Sequence, residues 1–124
     1  MRITHFEQIE AWKAARQLTS EIYSLTNREV FARDLALQRQ MRSCATSVMA
    51  NIAEGFDSAT HPEFSRFLKI SRRSATELQS HLYVAWDQHY LEKSRFDELY
   101  EAADQVKRLI GGFIRYLKNP KPRT

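Results

Sequence analysis

Glycine and proline occur only three times each in this chain of 124 residues, and two of the prolines, Pro120 and Pro122, stand in the last five positions. Tight turns draw heavily on both residue types, so an all-β fold would lack its punctuation. Long helices are the alternative. One cysteine, Cys44, excludes an internal disulfide, and its place in an apolar helical pattern reads as core in a reducing compartment. No apolar run approaches the roughly 18–20 residues of a membrane span. Glu7 and Glu10 interrupt the segment where a signal peptide would lie. The expectation is one cytoplasmic domain without a membrane partner. Acid is missing from Gln105 to Thr124, a segment that holds Lys107, Arg108, Arg115, Lys118, Lys121 and Arg123. The whole chain is only +4, so the remainder is net acidic and the basic charge is local. A local excess of this kind marks a candidate anion-binding surface.

What is present is helical periodicity in four segments. Thr4 and Glu7 have capping-box spacing, with Ile3 as a staple residue, and predict a first helix from about His5 to Thr26. Its seam is Ala11, Ala15, Leu18, Ile22 and Leu25, widened by Trp12. Asn27 to Ala32 breaks the pattern, and Asp34 stands near the positive end of a second helix. That helix carries Leu37, Met41, Cys44, Val48 and Asn51, with Ala45, Met49 and Ile52 alongside. Its small residues, Ala45, Ser47, Ala50 and Ala53, suit the middle of a bundle. Gly55 is read as its left-handed stop. Thr60-His61-Pro62-Glu63 is a second capping box, opening a third helix with the seam Phe64, Leu68, Ser71, Ala75, Leu78, Leu82, Ala85 and His89. Ser94 and Asp97 give a weaker cap for a fourth, whose seam is Phe96, Leu99, Ala103, Val106, Ile110, Phe113 and Leu117. The pattern predicts an all-α, antiparallel up-down four-helix bundle over residues 1–118, self-assembling into a homo-oligomer, with a short basic tail over 119–124.

Gln40-Met41-Arg42, Ser47, Asn51-Ile52-Ala53-Glu54-Gly55, Glu63-Phe64, Phe67-Leu68, Ser74 and Glu77-Leu78 together resemble the small bacterial four-helix bundle family of 23S ribosomal RNA intervening-sequence proteins. Ala11-Trp12 is a looser match. Ala32 stands after Phe31 where the family often has proline, and the fourth helix matches only in pattern. The resemblance implies a homo-oligomer, a ring of five. It also implies kinship with the accessory variability determinant of diversity-generating retroelements, which binds a reverse transcriptase and nucleic acid. No catalytic activity is implied.

Arg66 and Arg73 take the outermost positions of the third helix, with Lys69 and Arg72 beside them, and Arg108 and Arg115 take equivalent positions on the fourth, with Lys107 and Lys118 close by. Such faces can neutralise phosphates of RNA or an RNA–DNA hybrid with little sequence preference; the plain alternative is a solvated helix surface. Gly111 and Gly112 read as outward positions, each costing about 1 kcal/mol in a helix. With Leu109, Ile114 and Tyr116 they are assigned to a subunit interface, against a local kink as the alternative. Ile70, Tyr83 and Trp86 are further surplus apolar residues on the third helix. Asn51 reads as a register-fixing hydrogen bond and Glu54 as half of an ion pair, so the Asn51, Ile52, Ala53, Glu54 and Gly55 run is structural.

Enzyme signals are weak. No histidine follows a glutamate by three residues, and although Glu77 and His81 are four apart, the glutamate is off the seam. There is no glycine-rich phosphate loop, and Cys44 has no activating base in sequence. The expectation is a non-enzymatic nucleic-acid-binding protein without metal or cofactor. A protein–protein adaptor, or a scaffold with no ligand, is the rival reading.

Overall fold

The apolar stripes are buried against one another by four helices: α1 (Glu10–Thr26), α2 (Leu35–Phe56), α3 (His61–Asp87) and α4 (Lys93–Lys118). The computed structural model describes residues 2–119, and no strand occurs among them. Each helix packs on its two neighbours in chain order, and α4 closes the ring against α1. This is an up-down four-helix bundle. The predicted seams of α1 and α3 are buried throughout, apart from His89, and α4 adds Ile114 and Gly111 to its buried stripe. Each fully buried leucine or isoleucine among them contributes about 1.5–3 kcal/mol of burial free energy. On α2, Asn51 is only half-buried and Ile52 takes the core position. Beyond α4 only Asn119 of the predicted tail is described.

Hydroxyls tie the helices where side chains are short. Thr19 Oγ1 donates to the Ala45 carbonyl (3.1 Å), joining α1 to α2. Ser71 Oγ donates to the Val48 carbonyl (2.6 Å), and the Ser47 and Ser74 hydroxyls share a hydrogen bond of 2.9 Å, joining α2 to α3. Asn51 Nδ2 donates to the Ser47 carbonyl (2.8 Å) and Oγ (3.0 Å), so its bonds are local to α2 and feed this bridge.

The two connectors at one end of the bundle are latched together. Phe31, in a short 3-10 turn (Glu29–Arg33), is fully buried and meets the Tyr90 ring at 5.0 Å. Arg28 Nη1 donates to the Tyr90 carbonyl (2.9 Å). Asp34 caps α2 by accepting from the Leu37 amide (3.2 Å) and also accepts from the Tyr90 hydroxyl (3.0 Å). Losing that hydrogen bond opposes ionisation, so the Tyr90 pKa lies above the usual tyrosine value.

Helix ends account for the departures from the sequence pattern. The first helix does not begin near His5: Phe6–Gln8 form a 3-10 turn, Ile9 is extended, and α1 starts at Glu10. Gln8, not Glu7, supplies the returning side chain, its Oε1 accepting from the Thr4 and His5 amides at 2.7 and 3.1 Å. Thr60 caps α3 as expected, accepting from the Glu63 amide (3.2 Å). At α4, Ser94 and Asp97 make no cap; Glu92 precedes the helix, and Asp97 instead takes the Lys93 ammonium at 2.8 Å.

Gly55 and His89 exchange the roles that their residue types suggest. Gly55 lies inside α2 without positive φ. A Cβ there would stand 2.7 Å from Phe64 Cδ1 and 2.9 Å from Phe67 Cβ, so glycine permits close helix packing. His89, assigned to the α3 seam, has φ 62° beyond the helix end. Its amide bonds to the Trp86 carbonyl and that of Tyr90 to Ala85, both at 2.9 Å, the pattern that usually places glycine at this position. Opposite outcomes are expected in urea unfolding. Gly55→Ala should lower stability by roughly 1–3 kcal/mol, and His89→Gly should raise it by up to about 1 kcal/mol.

Candidate nucleic-acid interface

Side by side, α3 and α4 bring four of the eight singled-out cations to one cleft of about 490 Å³, lined by Arg72, Asp104, Lys107, Arg108, Gly111 and Arg115. Gly111 forms part of its wall. Arg115 Nη1 and Arg72 Nη1 lie 3.6 and 3.7 Å from the point where a Cβ of Gly111 would sit, so two guanidinium groups converge on bare helix backbone. Neither makes an ion pair among the described residues. The acid in the cleft lining, Asp104, accepts from Gln79 and pairs with neither guanidinium, so the two like charges favour an anion between them, and guanidinium forks match phosphate oxygens.

The other two cations are already engaged. Lys107 Nζ donates to Gln79 Oε1 (3.0 Å), while Gln79 Nε2 donates to Asp104 Oδ1 (2.8 Å) and to the Tyr100 carbonyl (3.2 Å). Gln79 is 4% exposed. It therefore acts as a buried brace that holds Lys107 and Asp104 in register across the two helices. Arg108 Nη2 donates to Glu101 Oε1 (2.6 Å) and Gln105 Oε1 (2.8 Å). Sequence reasoning missed Gln79 and Asp104. The available signal was a glutamine directly after the seam residue Leu78, on the side that turns toward α4.

Arg66, Lys69 and Arg73 are exposed along α3 outside the cleft, with the Arg66 guanidinium 4.7 Å above the Phe67 ring. Lys118 is exposed at the last turn of α4 and does not line the cleft.

The residues assigned to a subunit interface divide. Leu109, Gly112 and Tyr116 line a second, larger cleft of about 1040 Å³ at the open end of the bundle, with Ile3, Phe56, Phe64, Phe113 and Leu117 among its apolar walls. Gly111 and Ile114 are not outward positions. Both are buried within the single chain, because α4 is rotated to put them toward the core while Phe113 is only half-buried. Glu54 is exposed and forms no ion pair among the described residues. At the latched end, Tyr83, Trp86, Phe96 and Tyr100 make an aromatic cluster, with Tyr83 47% exposed.

Cys44 has neighbours that the sequence pattern did not show. Its Sγ lies within 4.8 Å of Glu77 and His81 donor atoms. Burial, reinforced by the Glu77 charge, pushes its thiol pKa from 9.0 up to about 12. A raised pKa favours folding below about 9, and that contribution is lost as pH rises toward 12.

The chain belongs to the 23S rRNA-intervening sequence protein family, whose model matches residues 7–112. A crystal structure of a protein of unknown function from the S23 ribosomal protein family of Bacteroides thetaiotaomicron is similar over 85% of this chain and 98% of its own. It has 18% identity and a TM-score of 0.77, which establishes a common fold. No curated protein matches.

Two measurements check the local chemistry. With EDTA present at pH 8, the folded Cys44 thiol should be alkylated about a thousandfold more slowly than in the unfolded chain, read by mass spectrometry. A comparable rate in both states would contradict the raised pKa. Asn51→Ala should lower stability by about 1 kcal/mol in urea.

Proposed function

We propose that this family member is a non-enzymatic accessory protein that binds the phosphate backbone of RNA or an RNA–DNA hybrid through the α3–α4 cleft. The observation that carries this reading is the convergence of Arg72 and Arg115 on Gly111 with no ion pair to either among the described residues. A phosphate between two guanidinium groups gains charge-assisted hydrogen bonds from both. Lys107 and Arg108 add positive potential while remaining tied to Gln79 and Glu101. Arg66, Lys69 and Arg73 extend the positive surface along α3, and Lys118 extends it at the end of α4. These contacts carry no base information, so binding is by backbone and shape.

A homo-oligomer, in this reading a ring of five, would present the cleft several times to one strand and multiply weak contacts through effective concentration. The apolar cleft at the open end, where Leu109, Gly112 and Tyr116 meet, supports the self-association surface. That same cleft is the specific observation favouring the second reading, a protein adaptor, with a reverse transcriptase as a candidate partner of either version. The protein acts in the cytoplasm in both.

Binding of a labelled structured RNA and an equal-length DNA duplex, titrated at about 50 and 200 mM salt, separates the readings. Affinity should fall steeply with salt, and Arg72→Gln with Arg115→Gln should flatten the dependence by roughly the one phosphate contact that the two residues share. Gly111→Ala should be as stable as the parent or up to about 1 kcal/mol more so, since its Cβ meets only guanidinium tips at 3.6–3.7 Å, yet should bind more weakly by crowding the cleft. No binding at the lower salt would leave the adaptor.

A further inference from the structure

We infer that Cys44, Glu77 and His81 form a binding site for one divalent transition-metal ion of the zinc class, bridging α2 and α3. Each of the three offers one donor atom, sulfur, carboxylate oxygen and imidazole nitrogen, and all three donors lie within 4.8 Å of one another. Bond lengths of about 2.0–2.3 Å separate tetrahedral donors by roughly 3.3–3.8 Å, so the ion needs an inward shift of about 1 Å. Glu77 can supply it. Its side chain is 58% exposed and free to swing, while Cys44 is fixed in the seam of α2.

His81 supplies the second observation. Its Nε2 is buried and has no hydrogen-bond partner among the described residues, standing 3.7 Å from Glu77 Oε2, beyond hydrogen-bond reach. A buried nitrogen left this way is costly, and an imidazole nitrogen is a common metal ligand. Glu77 and His81 are one helical turn apart and present their donors on one side of α3. Cys44 faces them from α2.

The donor chemistry selects the ion. A thiolate with an imidazole disfavours magnesium and calcium, which take oxygen ligands, and suits zinc or its cobalt surrogate. Thiolate and carboxylate together offset the two positive charges, the thiol proton leaving to solvent as the metal–sulfur bond forms. Three protein ligands leave the fourth position for water on the side where Glu77 meets solvent. The ion would cross-link the same two helices that the Ser47–Ser74 bridge joins.

Cobalt(II) added to EDTA-stripped, untagged full-length protein tests the site, because the chain has one cysteine and any thiolate-to-cobalt charge-transfer band reports Cys44 alone. One cobalt per chain is expected, with that band and the intense visible bands of a four-coordinate ion, all displaced by zinc. Cys44→Ala should abolish the charge-transfer band. Glu77→Gln, on the exposed side, keeps the fold testable by circular dichroism and should weaken cobalt affinity at least about tenfold, as should His81→Gln. Absence of the band in the parent at saturating cobalt overturns the site, as does parental affinity in both Glu77→Gln and His81→Gln.

Discussion

The close approach of α2 to α3 is the constraint on which the rest of the molecule depends. It exists because Gly55 has no side chain where Phe64 and Phe67 press against it, and because serine hydroxyls replace bulk at the contact, Ser71 to Val48 and Ser47 to Ser74. Short polar side chains of this kind add direction to packing. A hydroxyl bonded across two helices fixes their axial register, which apolar contact alone leaves soft. With α3 held in this way, everything it carries on its other faces is placed as well.

Two consequences follow on opposite flanks of α3. Toward α4, Arg72 is set beside Gly111 and Arg115, and buried Gln79 reaches across to Lys107 and Asp104. Competition for intramolecular partners then sorts the cations: Lys107 and Arg108 have neutral or acidic partners, whereas Arg72 and Arg115 have no ion pair among the described residues. Toward α2, Glu77 and His81 are brought to Cys44, a residue that composition alone marks only as core. The two ends of the bundle differ in the same spirit. One is closed by Phe31, Asp34 and Tyr90, and the other opens into an apolar cleft between the chain start, the α2–α3 turn and the end of α4.

Membership of the 23S rRNA-intervening sequence protein family was legible in the Asn51-to-Gly55 run and the residues around it, and so was the four-helix bundle. Helix periodicity is a local property with a strong physical cause, since apolar side chains must share a face to leave water together. Glycine at 55 and histidine at 89 misled for an equally physical reason. Residue type expresses a preference for left-handed backbone, but whether glycine serves the backbone angle or the space above it depends on what packs there. The rotation of α4 was likewise hidden, because Phe113 and Ile114 are equally apolar and only the facing helices choose between them.

By itself, the sequence determined the number of helices, most of their seams, the α3 cap at Thr60 and the location of the basic residues, all of which depend on spacing within one segment. Tertiary structure alone decided how those basic residues are sorted, that Gly111 is enclosed by two arginines, and that Cys44, Glu77 and His81 meet. Those outcomes rest on the relative rotation and register of two helices. These are set by the sum of contacts along the whole interface, and no spacing within either segment records them.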